Sequence, residues 1–311
     1  MAKNLLKTKV IGIGGSGVNA VSRMHKEKIE GAELIAVNTD AQTLLRSPAG
    51  KKILIGKETT GGLGAGMNVR LGEKAARENY QELKEAMAGA EMIFLTCGLG
   101  GGSGSPGVAV LGEISRELKI LTVAVVTLPF FFEGAQRKNI AQRALNNLIG
   151  RVDAVLIIEN DRLLKLVQPN TSIENAFLLC DQILFEAVKG ISDLISLPGI
   201  INVDFADLKA VLKNSGRAFL GQGQAKGEKR AIEAAGLALK SPLLSYSVKE
   251  AKGVLLNIAG SHDLTLQEIN TAATFIKSAA SAGTKIIFGV SQDRGLKEGE
   301  MKITVIATSN K

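Results

Sequence analysis

Glycines, serines and carboxylates stand along this chain at spacings suited to holding and transferring phosphate. The densest cluster is Gly98-Leu99-Gly100-Gly101-Gly102-Ser103-Gly104-Ser105-Pro106-Gly107, between the apolar runs Met92-Ile93-Phe94-Leu95 and Val108-Ala109-Val110-Leu111. That order reads as strand, glycine loop, helix. A backbone without Cβ atoms can close its N–H groups on an anion. A helix N-terminus adds unsatisfied donors and the positive end of a dipole. The hydroxyls of Ser103 and Ser105 add further donors. Gly12-Ile13-Gly14-Gly15-Ser16-Gly17 and Gly61-Gly62-Leu63-Gly64-Ala65-Gly66 form two more turns. A chain with three such loops is built for a ligand with several phosphates.

Taken alone, the first loop matches G-x-G-x-x-G between a strand and a helix, with Asp40 after the second strand. That is the pattern of an NAD-dependent oxidoreductase. One pyrophosphate needs only one glycine turn, whereas three suit a triphosphate. The sequence has no Walker A run ending Gly-Lys-Ser/Thr, so it is not a P-loop NTPase. Other residues read two ways. Glu133 and Arg137 have the spacing of a surface helical ion pair. Asp204-x-x-Asp207 ahead of an apolar helix has the spacing of a cap. Asn19 reads as an ordinary polar residue of a first helical turn. Phe177 and Asp181, one turn apart, read as a core aromatic and a solvated carboxylate.

The elements that must position these residues alternate. Lys9–Ile13, Glu33–Val37, Lys52–Ile55, Met92–Thr96, Thr122–Thr127 and Ala154–Ile158 read as strands. Val18–Glu30, Asn68–Ala88, Val108–Leu118 and Asn139–Ile149 read as helices between them. Such alternation implies a doubly wound, mostly parallel sheet with ligands at the carboxyl ends of its strands. Ser172–Ile195 reads as one long helix capped at Ser172 and ended by Pro198-Gly199. After Asp204, helices are expected at Phe205–Lys213, Lys229–Leu239, Ser247–Lys252 and Leu266–Ala280. Strands are expected at Gly253–Ala259, Lys285–Ser291 and Met301–Ala307. This second region reads as a smaller α+β domain.

The 311 residues suit about two domains, and a 45% hydrophobic content builds a core readily. Aromatics are 4% and Trp is absent, which argues against stacking platforms, and no specific nucleic-acid partner is expected. The net charge of +8 is spread without a basic tract, as on a solvated surface. Cys97 and Cys180 read as buried free thiols of a reducing cytoplasm. His25 and His262 are too scattered for a metal cluster. Ile120–Phe132, the longest apolar stretch, is too short to span a bilayer and contains Pro129.

The third loop resembles the G-G-G-T-G-T/S-G signature of tubulins and of the FtsZ division proteins of bacteria and archaea. Ala36-Val37-Asn38-Thr39-Asp40-Ala41-Gln42, Gly62–Gly66, Thr122–Thr127 with Pro129-Phe130, Phe132-Glu133-Gly134, Arg137 and Asn202-Val203-Asp204-Phe205-Ala206-Asp207 also resemble FtsZ, in the family's order and spacing. The likeness covers about residues 8–309. It implies the tubulin/FtsZ fold: an α/β Rossmann-like GTP-binding domain (residues 1–171), a central helix (172–197) and a smaller α+β GTPase-activating domain (198–311). It implies a cytoplasmic GTPase at the division site that polymerises head-to-tail, each subunit's catalytic loop completing its neighbour's GTP site.

The resemblance also assigns roles. Gly14, Gly15, Ser16 and Gly17 would face the phosphates, with Gly64, Ala65 and Gly66 of the second loop and Gly101, Gly102, Ser103, Gly104 and Ser105 of the third. Asn19 would reach the guanine, Glu133 and Arg137 the sugar and phosphates, and Asn160 the ribose. Phe177 would stack on guanine and Asp181 pair with its edge. Asp204 and Asp207, assisted by Asn202, would orient water and a cation. GTP/GDP and Mg2+, or K+, are the implied cofactors, with no metal held by one chain alone and the cation placed at the subunit junction. Partners would be further copies of the chain and cell-division regulators. Adaptors that bind a C-terminal tail are not expected, because the sequence stops at Lys311. Ser103 stands for the family's threonine, Pro106 for the signature's last glycine and Val69 for a usual proline. Pro106 removes an N–H, so a scaffold that assembles but hydrolyses poorly is the second reading.

Overall fold

The computed structural model describes residues 6–27, 29, 31–168, 170–196, 200–293 and 295–309. Contacts divide the chain into two compact units, Met1–Val188 and Lys189–Lys311. The first contains β1 (Thr8–Ile13), α1 (Gly14–Lys26), β2 (Ala32–Asn38), α2 (Ala41–Arg46), β3 (Lys51–Leu54) and α3 (Lys57–Thr60). These are followed by α4 (Val69–Glu78), α5 (Tyr80–Met87), β4 (Met92–Gly98), α6 (Gly104–Glu117), β5 (Leu121–Leu128), α7 (Ala135–Leu148), β6 (Ala154–Glu159) and α8 (Asn160–Leu163). Helix α9 (Ile173–Ser196) crosses from the first unit into the second.

Within the first unit the strands pair in parallel in the order β3-β2-β1-β4-β5-β6. Strand β1 has β2 on one side and β4 on the other, so the strand order reverses there. The carboxyl ends of β1 and β4 therefore flank a switch-point crevice, the usual ligand position in such sheets. Helices cover parallel sheets on both faces, which explains why β4 and β5 are apolar runs buried almost throughout.

Several helices differ from the sequence reading. Helices α1 and α6 begin at Gly14 and Gly104, inside the glycine loops, because those residues form the first helical turns. The helix expected over Asn68–Ala88 is two, broken at Asn79, whose Oδ1 accepts the Gly56 N–H at 2.8 Å. At α9 the expected cap forms, with Ser172 Oγ accepting the Asn175 N–H at 3.2 Å. Pro198 and Gly199, the expected terminators, lie outside the described residues.

The second unit contains α10 (Phe205–Leu212), β7 (Gly216–Lys226), α11 (Arg230–Leu239), β8 (Gly253–Gly260), α12 (Leu266–Ala279), β9 (Lys285–Gln292) and β10 (Glu300–Ser309). Strand β10 pairs antiparallel with β7 and β8, and β8 pairs parallel with β9. The helix expected at Ser247–Lys252 is only a 3-10 turn, Val248–Glu250. Strand β7 has no counterpart in the sequence reading. Its glycines admit α11: a Cβ on Gly223 would stand 2.2 Å from the Ala234 carbonyl oxygen. Gly223→Val is therefore expected to destabilise the fold by about 3 kcal/mol or more through overpacking against backbone, read as a lowered urea midpoint. An unchanged midpoint would refute this account of β7. No helix among the described residues is long and apolar enough to cross a membrane.

Candidate functional site

A cavity of about 490 Å³ opens at the switch point of the first unit. Its floor is two helix N-termini. Gly14 takes φ +74°, and a Cβ there would meet the Gly104 backbone N at 2.9 Å, so glycine lets the first and third loops touch. The first N–H groups of a helix have no intrahelical partner. Side chains supply one at some helices, where Asp40 caps α2, Asn68 caps α4 and Thr265 caps α12, and none at others, such as α7, α10 and α11. Helices α1 and α6 have no side-chain cap bond and no acidic residue in the first turn. Gly15 and Gly101 line the cavity with open space where a Cβ would stand. An anion on this floor would complete both helix ends.

The loops are locked to one another. Ser103 Oγ lies 2.6 Å from Thr39 Oγ1, joining the third loop to the segment after β2. Ser105 is buried beneath the loop, where its Oγ accepts the Gly100 N–H at 2.8 Å. Pro106 is the third residue of α6, where an N–H would have no helical partner, and the Gly107 N–H still bonds the Ser103 carbonyl at 3.0 Å. Proline is tolerated in this first turn and does not line this cavity.

Helix α9 and the segment after β5 form the walls. Phe177 is 39% exposed and meets Phe130 edge-on, ring centroids 5.6 Å apart. Asp181 has no hydrogen-bond partner among the described residues. Burial, opposed by the Arg23 charge, pushes its carboxyl up to about 6. Asn160 lines the cavity and its Oδ1 is buried without a hydrogen bond. Burial first, then Asp181 and Glu133, push the neighbouring Cys180 thiol up to about 12, so it stays protonated at neutral pH. The other carboxylates are engaged. Asp40 Oδ1 accepts the Gln42 and Thr43 N–H groups at 2.9 and 3.2 Å, and Oδ2 accepts the Thr43 hydroxyl at 2.8 Å. These bonds hold its carboxyl below the usual range. Glu133 accepts the Phe130 N–H at 2.9 Å and Arg137 Nη1–H at 2.6 Å, so the helical ion pair does form. Arg137 is the one cation among the described lining residues, which leaves anion binding mainly to backbone N–H groups.

The cavity thus brings together Gly14, Gly15, Ser16, Gly64, Ala65, Gly66, Gly101, Gly102, Ser103, Gly104, Glu133, Arg137, Asn160, Phe177 and Asp181. Gly17, Asn19 and Ser105 are not in its lining. A Cβ on Gly17 would stand 2.4 Å from the Thr96 carbonyl oxygen, so Gly17 seats α1 on β4, while Asn19 is exposed. Thr39, Thr43, Met67 and Thr127 line the cavity without having been singled out as ligands. Thr39 was legible only as part of the Ala36–Gln42 motif.

Asn202, Asp204 and Asp207 lie in the second unit, are exposed, and do not line the cavity. Asp204 is the N-cap residue of α10, yet its side chain makes no cap bond. Its carbonyl accepts the Asp207 and Leu208 N–H groups at 3.0 and 3.1 Å. Among the described residues the Asp207 carboxylate has one ion-pair contact, Lys285 Nζ at 4.0 Å. Buried Val203 and backbone bonds between Ile201 and Val290 fix this loop to β9. Among the described residues no group of three His, Cys, Asp or Glu is placed to hold a metal ion.

The profile of the Tubulin/FtsZ family GTPase domain matches residues 7–168, and that of the FtsZ family C-terminal domain matches residues 216–311. The FtsZ of M. jannaschii, solved as an empty dimer, is 44% identical, with a TM-score of 0.95 over 99% of this chain and 89% of that one. A mutant of that FtsZ matches equally well, over 92% of its chain. CetZ2 of Haloferax volcanii, a GTPγS-bound protofilament, shares the fold at 24% identity, with a TM-score of 0.82 over 97% and 92% of the two chains. GTP hydrolysis is the activity of the matched family, and this chain, with its α/β tubulin-type fold, belongs to the FtsZ family.

Proposed function

We propose that this chain hydrolyses GTP as a head-to-tail polymer in cell division, at the division site in the cytoplasm. The N-terminal part (1–171) binds nucleotide, the central helix (172–197) presents Phe177 and Asp181, and the C-terminal part (198–311) carries the loop that activates a neighbour's GTP. One contrast supports this most directly. Asp40 and Glu133 in the cavity are bound to other protein groups, whereas Asp204 and Asp207 are exposed with only a loose contact at Asp207.

The uncapped ends of α1 and α6 receive the phosphates, with the second loop closing over them. Phe177 takes the face of the base. The Asp181 carboxylate accepts from the guanine N1–H and amino group, which adenine cannot offer, and Asn160 serves the ribose. Asp40 and Glu133 are engaged with protein groups and Asp181 with the base, so Mg2+, or K+, would be held by the phosphates and by Asn202, Asp204 and Asp207 of a neighbour, supplying charge neutralisation there. Those carboxylates orient water, and phosphoryl transfer depends chiefly on such positioning. Division regulators are further partners on this reading. Phosphate release measured over a protein concentration series, with light scattering in parallel, tests it. Turnover per subunit should be negligible below a threshold and rise where scattering appears. Specific activity independent of concentration would refute it.

A further inference from the structure

A second cavity, of about 300 Å³, lies in the first unit behind the third glycine loop. That volume is at the small end of ligand sites. It is formed by α4, α6 and α7 and shares no lining residue with the nucleotide cavity. Ser105 lies between the two, lining the second cavity while its hydroxyl holds the Gly100 N–H of the phosphate loop. Pro106, Ala109, Val110 and Ile140 supply an apolar lining, whereas Arg70, Arg143 and Arg151 bring positive charge. The one lining carboxylate, Glu73, is bonded to Arg77 at 3.1 Å, and Arg151 lies 3.7 Å from Glu113. Arg70 and Arg143 are exposed and have no ion-pair partner among the described residues.

Val69 and Pro106, two residues at which the sequence resemblance is broken in these loops, both line this cavity. Pro106 also closes the gap toward α4: a Cβ on Gly72 would stand 3.0 Å from its Cγ.

We infer that this cavity binds a compact amphipathic anion, its apolar body on Pro106, Ala109 and Ile140 and its acidic group at Arg70 and Arg143. Apolar walls with few polar anchors bind by burial and orient by charge, and a guanidinium suits carboxylate, sulfonate or phosphate alike.

Fluorescence titration of the GDP-saturated protein with anilinonaphthalene sulfonate tests this, with uncharged phenylnaphthylamine as the matched probe. The sulfonate should bind one saturable site, and phenylnaphthylamine should bind more weakly. Arg70→Glu with Arg143→Glu should raise the sulfonate Kd about ten-fold or more, the size of a lost charge contact. Lys26→Glu with Lys51→Glu, an equal change of charge at exposed sites elsewhere, should leave it unchanged. Absence of saturable binding, equal loss in both double variants, or equal affinity for the two probes would overturn the assignment.

Discussion

Asp181→Asn is expected to weaken GTP binding while making the empty protein more stable. On the proposed contacts, two charge-assisted bonds to guanine are lost and a donor faces the base's own donors. That costs about 3–4 kcal/mol, or about 100- to 1,000-fold in Kd. Burial holds the folded-state carboxyl at about 6 against an ordinary 3.8. Ionising it therefore costs the fold of order 3 kcal/mol at pH 7. The penalty shrinks as pH falls through 6 and is gone below 3.8, so the variant's higher Tm should fade over that range. GTP affinity of the native chain should be level above pH 6 and weaken below it, as the acceptor becomes protonated. Xanthosine triphosphate, which offers a carbonyl where guanine has its amino group, should recover binding to the variant. A loss of GTP affinity together with a lower Tm would instead mark Asp181 as structural.

Asp204→Ala and Asp207→Ala should each lower kcat by about 100- to 1,000-fold, the usual cost of removing a group that acts only in the transition state. Equilibrium GDP affinity should not change, because neither residue lines the cavity. Stability should move by less than about 0.5 kcal/mol, since both side chains are exposed and Asp204 makes no cap bond. An intact rate in either variant removes that residue from the catalytic account. A parallel loss of GDP affinity would place the loop in binding rather than chemistry.

Those two carboxylates show what spacing alone conveys. Asp204-x-x-Asp207 has the pattern of a cap, and only the folded loop reveals that Asp204 leaves the bond unmade. The glycine loops were legible because their glycines meet local demands, such as the positive φ at Gly14, Gly64 and Gly100. Continuous apolar runs exposed β4 and β5 equally well. Strand β7 stayed hidden because Gly221 and Gly223 answer to α11, a partner that no local pattern announces. The same limit applies within the site. Ser103 and Ser105 are alike in sequence, yet one hydroxyl meets Thr39 and the other faces beneath the loop. The position of Asp40 fitted the pattern of a dinucleotide-binding acid, and its bonds to Gln42 and Thr43 make it a helix cap.

The central claim, one active site built from two copies, is tested most directly by mixing two inactive variants. Asp207→Ala keeps the cavity and loses the loop, whereas Asp181→Ala keeps the loop and loses the cavity. Head-to-tail contact joins unlike surfaces, so in an equal mixture about a quarter of random junctions pair an intact cavity with an intact loop. The account predicts that GTP turnover reappears on mixing, well above the sum of the separate proteins. Turnover that stays at that sum would contradict it.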